Sequence, residues 1–305
     1  MAKSNHPWLP SPAAIERLRP FLGDLLGRYH RREFLTSDPV QFVHRYRQGA
    51  DQEAVGLLSA LFAFGNVGAI HRSLEHLLGA LGPHPGLALA EKGFRAPPLG
   101  GFCHRWVTAP DAAALLEATG RVVRKWGSLG TLAGAAYERH GSLGAALGEF
   151  AGELSAGLSG PASPGLRFLL ASPLGGGASK RLALYFRWMV RRDEIDLGLW
   201  EHAMPRRALR IPLDTHLSRI VRYIGLTRRQ SVNWKMAEEV TAALALLDPG
   251  DPVRFDFALA RLGILRECPH RRQIAKCAPC PIQRVCRLGR GVRLPAGAAR
   301  IPSSA

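Results

Sequence analysis

Four cysteines fall within nineteen residues near the end of the chain, Cys268, Cys277, Cys280 and Cys286, in the pattern C-x8-C-x2-C-x5-C. Thiolates are soft ligands, and four of them complete a zinc or an iron–sulfur shell. A structural zinc site usually draws on two C-x-x-C knuckles. Only one such pair is present here, and the last gap of five residues suits an object larger than one ion. Short, uneven spacing of four thiolates is common for iron–sulfur clusters, so a four-iron cluster is the favoured expectation. Zinc is the alternative, followed by inert buried thiols. The loop between the first two cysteines carries Arg271, Arg272 and Lys276. It reads either as a rigid basic finger for phosphates or as a solvated loop that offsets cluster charge. The fifth cysteine, Cys103, has no partner in sequence and reads as a small buried hydrophobe.

A second constellation lies upstream. Gly175, Gly176 and Gly177 are followed by Ala178, Ser179, Lys180 and Arg181, and Leu182, Leu184, Tyr185 and Trp188 then recur at helical spacing. A glycine run lets backbone approach a ligand closely, and the helix that starts there presents free N–H groups, which together make a phosphate-binding turn. No G-K-[ST] ending is present, so a nucleotide P-loop is not supported. Farther on, Asp214 stands in Pro212-Leu213-Asp214-Thr215-His216 ahead of a helix with Leu217, Ile220, Val221 and Ile224 on one face. Its plain role is the N-cap. A carboxylate held by helix N–H groups also stays ionised and can stabilise positive charge developing on a sugar.

Helices must position these groups, because strand signals are nearly absent and the pattern predicts an all-α fold. Periodicity predicts helices near 12–30, 52–64, 69–81, 110–125, 129–139 and 142–158. Ser37-Asp38-Pro39 predicts another start, ahead of Phe42, Val43 and Tyr46. The chain has 305 residues, 47% hydrophobic, which excludes disorder throughout. It holds 41 Lys and Arg against 24 Asp and Glu, a net charge of +17. Solubility seldom needs more than about 8 excess charges, so a polyanion is the expected partner. Between Lys180 and Lys235 there are 13 basic and 5 acidic residues, so much of the excess surrounds the glycine turn. The longest uncharged stretch, Ala54 to Ile70, is broken by glycines and is too short for a spanning helix, and residues 1–12 lack an apolar signal segment. A cytoplasmic, nucleoid-associated monomer with reduced thiols is therefore expected.

The order of glycine turn and lysine, hydrophobic helix, Pro-Leu-Asp-Thr-His, and C-terminal four-cysteine segment resembles the helix-hairpin-helix DNA glycosylase superfamily. Its iron–sulfur branch, typified by endonuclease III, shows the same order. Over residues 40–286 the chain is similar to that branch, and as a whole it is similar to a bacterial family of unassigned function. The resemblance implies a two-domain fold with a cleft. Residues 45–212 would form the central domain. Residues 1–44 would pack with residues 213–290, which hold the cluster, and residues 291–305 would be a disordered basic tail. It implies Lys180 as nucleophile, Asp214 as the essential carboxylate, and Cys268, Cys277, Cys280 and Cys286 as cluster ligands. Asn66, in the turn Phe64-Gly65-Asn66, would be a wedge filling the space left by an extruded base. Gly175, Gly176, Gly177, Ser179 and Arg181 would grip phosphates along with the basic loop. His104, Arg105, Trp106 and Trp188 would line a base pocket, and Arg181 and Arg187 would help depress the amine's pKa. The substrate would be duplex DNA with a damaged or mismatched base, and RNA is the other polymer considered. A non-catalytic nucleic-acid binder and a zinc protein contacting an acidic partner are the competing expectations. The insertion containing Asp193 to Arg207 must loop away if Lys180 and Asp214 are to meet.

Overall fold

The computed structural model describes residues 8–293, and the distal part of the expected tail, residues 294–305, lies outside them. The expected 12–30 helix is two, α1 (Pro12–Glu16) and α2 (Arg19–Tyr29). Pro20 explains the break: proline is tolerated in the first turn of α2 but not inside a continuous helix. The start at residues 37–39 yields only a short α3 (Val40–Val43). There the Asp38 carboxylate accepts from the Val40 amide at 3.1 Å and also binds Arg261 at 2.5 Å. Five long helices follow the expected pattern closely, α4 (Gly49–Leu61) and α5 (Val67–Leu81) among them. Between them and α7 (Ala109–Trp126) lie α6 (Pro85–Ala90) and a two-stranded hairpin, β1 (Cys103–His104) and β2 (Val107–Thr108).

Helices α8 (Leu129–His140), α9 (Leu143–Ala156) and α10 (Pro164–Leu169) lead to α11 (Lys180–Val190). Serine caps at Ser128, Ser142 and Ser163 start α8, α9 and α10. The remaining helices are α12 (Thr215–Tyr223), α13 (Trp234–Ala245), α14 (Asp256–Ile264) and α15 (Ile274–Cys277). The described residues are thus mostly helical, and the hydrophobic residues form one connected core running from Ile15 to Cys286. Helix α2 packs on α14, and α14 packs on α12. Tyr29 bonded to Glu267, and Arg261 bonded to Asp38, fasten the N-terminal helices to the cysteine-bearing half.

The segment between α11 and α12 folds back on α11. An isolated bridge joins Arg192 to Leu197, and the Trp200 amide donates to Met189 O at 2.6 Å. The Trp200 ring enters the core beside Tyr185 and Phe186, while its Nε1 donates to Glu53 at 2.7 Å. Asp193 and Asp196 meanwhile pair with Arg191, and Asp196 with Arg187 as well. The insertion is therefore a packed flap at the C-terminal end of α11, on the side away from Lys180.

Candidate functional site

Lys180 is the first residue of α11, and Asp214 is the N-cap of α12. Their side chains meet, with Nζ 3.8 Å from Oδ2, and are 29% and 30% exposed. Asp214 accepts from the Leu217 amide at 2.7 Å, so the helix end fixes its orientation. Lys180 also donates to Ala63 O at 3.1 Å, at the end of α4. Helices α4 and α11 approach closely enough for this because Gly56 faces Met189 and Tyr185, and a Cβ on Gly56 would lie 2.6 Å from the Met189 methyl. A lysine and a carboxylate far apart in sequence thus share one partly open spot bounded by three helix ends.

Beside that spot is a wall of rings, of which Trp106 was expected from the sequence and Phe64 and Phe168 were not. Phe64, next to Ala63, packs edge-on against Phe168 with centroids 4.9 Å apart, and Trp106 packs against both. The β1–β2 hairpin presents Trp106 at its tip, where it is 48% exposed, together with Arg105 at positive φ. The Arg105 guanidinium lies over the Trp106 ring at 4.9 Å. Phe64 and Phe168 come from a turn and a one-turn-scale helix, and no periodicity in sequence links them to residue 106.

Several expected site residues have other roles. Trp188 is fully buried in the core and cannot line an open pocket. His104 is also buried. It accepts from or donates to Ser73 Oγ at 2.8 Å through Nδ1 and bonds Phe64 O at 2.9 Å through Nε2, so it supports the aromatic wall from behind. Burial holds its pKa below the usual imidazole range. Arg187 is buried between Asp196 and Asp256, so its charge is already compensated and it does not help depress a lysine. Arg181 turns inward, stacking on Phe168 at 3.8 Å and donating to Phe168 O, and burial pushes its pKa down to about 10. It positions the wall and is not a free phosphate contact. Ser179 adopts φ 46°, and its hydroxyl donates to Ala171 O at 3.1 Å to close the turn. Asn66 caps α5 through Ala69 N at 2.8 Å, so its oxygen is committed. Cys103 is exposed, which corrects the buried reading, and its thiol donates to Arg105 O.

Gly175, Gly176 and Gly177 are exposed at the turn before α11. Gly176 needs its φ of 79°, while Gly175 and Gly177 have ordinary backbone angles and open space where a Cβ would stand. No packing in the fold demands glycine at those two positions.

The four cysteines line one apolar pocket with Ile220, Tyr223, Pro269, Ile282 and Leu288. Burial pushes the Cys268 thiol up to about 11 and the Cys280 thiol up to about 12. Four thiolates there would need a bound cation to ionise. Among the described residues, no three His, Cys, Asp or Glu side chains gather tightly enough for a single metal ion. Four soft donors around one pocket suit a zinc or an iron–sulfur centre. In the basic loop, Arg272 donates to Leu288 O and Arg290 O, and Lys276 to Arg266 O. Those two side chains tie the loop down, and Arg271 alone of the three is without a side-chain partner among the described residues.

A family profile described as "Protein of unknown function (DUF2400)" matches residues 38–265. The chain belongs to this family. The DUF2400 match includes Ala63, Lys180 and Asp214 and ends before Cys268, so the cysteine segment lies beyond it. No curated protein and no solved structure matches the chain. No described helix is long and apolar enough to cross a membrane.

Proposed function

We propose that this DUF2400 protein is a DNA base-excision glycosylase with lyase activity, of the helix-hairpin-helix type, acting on a nucleotide swung out of the duplex. The observation that carries the reading is the Lys180 Nζ to Asp214 Oδ2 separation of 3.8 Å at a partly open spot beside exposed rings. An extruded base stacks well on aromatic faces, and flipping costs least for damaged or unpaired bases. Trp106, Phe64 and the Arg105 guanidinium supply such faces.

Lys180 must lose a proton before it attacks, and Asp214 is its paired carboxylate among the described residues. The neutral amine bonds to C1′ while the bond to the base breaks, and the base leaves with the electron pair and takes up a proton. Opening of the C1′–O4′ bond gives an iminium on Nζ and a hydroxyl at C4′. Loss of a C2′ proton then expels the 3′ phosphate. Asp214, fixed by the Leu217 amide, stabilises the positive charge that develops on the sugar. The exposed Gly175 and Gly177, which the fold does not itself require, support close approach of a phosphate backbone. Cys268, Cys277, Cys280 and Cys286 would hold a four-iron cluster, which supplies rigidity to the DNA-facing loop and no reacting atom.

The test is base release and borohydride trapping on a panel of oligonucleotides carrying damaged or mismatched bases. A free base together with a reduced covalent adduct on at least one substrate supports the reading. DNA binding with neither product leaves a non-catalytic binder, in which the Lys180 bond to Ala63 O is purely architectural.

A further inference from the structure

A second basic surface lies at the far end of α12 from Asp214. Arg17, Arg228, Arg284, Arg287 and Arg290 line one cavity with Trp8, and no Asp or Glu lines it. All five arginines are exposed. Among the described residues none of their side chains makes an ion pair or a hydrogen bond, and Arg228 lies 4.5 Å over the Trp8 ring. This is unusual within the molecule. The crevice of Arg191, Arg192, Arg206 and Arg254 is interleaved with Asp193, Asp248 and Asp251. Five like charges left uncompensated side by side repel one another, which folding alone gives no reason to tolerate.

The surface is also held in shape. The Arg287 amide donates to Tyr223 O at 2.9 Å, and Arg272 donates to the carbonyls of Leu288 and Arg290, so the turn bearing Arg287 and Arg290 is fixed against α12. An adjoining cavity shares Tyr223 and Arg287 and adds Arg219 and Arg222, again without a carboxylate. Arg219 lies five residues beyond Asp214 on α12, between the site and the groove along the helix axis. Helix α12 has 9 residues, which at 1.5 Å per residue spans roughly 13 Å. That corresponds to about four nucleotide steps along the axis of a duplex at 3.4 Å each, and to fewer steps of an extended single strand.

We propose that this arginine groove seats the phosphate backbone of the nucleic-acid strand flanking the extruded nucleotide. The inference rests on the excision reading for its placement, but its test does not require turnover. The probe is a tetrahydrofuran abasic-site oligonucleotide, single-stranded in one arm and duplex in the other. Short probes are single-stranded with about one nucleotide on each side of the site, too few to reach the groove, and long ones, single-stranded or duplex, have about twelve. Binding to the full chain is measured over a range of salt concentrations for wild type and for the triple variant Arg17→Gln, Arg228→Gln, Arg284→Gln. These side chains are exposed and unpaired, and an unchanged thermal midpoint checks that the variant folds.

The triple variant should bind the long probe at least tenfold more weakly. Its slope of log affinity against log salt should be shallower by about 2, because each lost phosphate contact removes roughly 0.7 to 0.9. Binding of the short probe should not change. The arm showing this loss identifies whether a single strand or a duplex lies in the groove. An unchanged slope and affinity in both arms overturns the proposal. If wild type forms no adduct on any substrate while the slope still falls, the groove stands and the excision reading fails. If adducts form and the slope does not move, the reverse holds.

Discussion

Asp214 does two jobs that substitution can separate. As N-cap it accepts from the Leu217 amide, and as a charge it faces Lys180. Asparagine caps as well as aspartate but carries no charge, so Asp214→Asn should keep the thermal midpoint while base release slows by about 10² to 10⁴-fold. Asp214→Ala should lose the activity and also about 1 kcal/mol of stability, measured by denaturant unfolding. His104 supplies a pH prediction. Its ring is buried behind Phe64, with both nitrogens bonded and its pKa held down. The unfolded chain therefore takes up the proton first, near a pH of about 6.5. The stability contributed by neutral His104 is present above that pH and is lost as pH falls through it toward the folded value. Thermal midpoints should drop less between neutral and mildly acidic pH for His104→Asn than for wild type. An equal drop in both would remove His104 as the titrating group. Asp214 was legible in sequence because a cap lies immediately beside its helix. The roles of Arg181 and Arg187 were not, because whether an arginine faces solvent or a buried aspartate is decided by residues from distant segments, here Phe168 and Asp256.

The elements explain how the pair converges. Thirty-four positions separate Lys180 from Asp214, and the intervening flap is pinned by Trp200 within a ring cluster of Phe150, Tyr185 and Phe186. Removing that ring leaves a large cavity and takes from Glu53, whose pKa burial already raises, one of its three hydrogen bonds, the other two coming from the Leu129 and Gly130 amides. Trp200→Ala should cost about 3–5 kcal/mol in denaturant unfolding. The β1–β2 hairpin behaves differently, since Trp106 is half exposed at its tip. Trp106→Ala should leave stability nearly unchanged and weaken binding of abasic-site or damaged DNA about tenfold, in line with ~1–3 kcal/mol per stacked base. The long helices were legible from apolar periodicity, and their caps marked the starts. Of the aromatic wall only Trp106 was expected, because Phe64 and Phe168 belong to a turn and a six-residue helix, neither of which has a period to read.

At the scale of the whole molecule, the net charge of +17 is not spread evenly. Arg187, Arg191 and Arg261 are buried against aspartates and add nothing to the excess. Much of what is free to meet a polyanion is gathered near the cysteine segment and along α12. The composition pointed to a polyanion but not to its path, because exposure is a property of the fold. Four cysteines around one pocket predict a purified protein that is brown, with iron and acid-labile sulfide in equal amounts. Cys280→Ser should lose both colour and iron. A colourless protein containing zinc alone would contradict the cluster.

The account turns on one covalent bond. After borohydride reduction of wild-type protein on a reactive oligonucleotide, peptide mapping by mass spectrometry should place the sugar remnant on Lys180, and Lys180→Ala should yield no adduct. A remnant found on another amine, or undiminished trapping by Lys180→Ala, would contradict it.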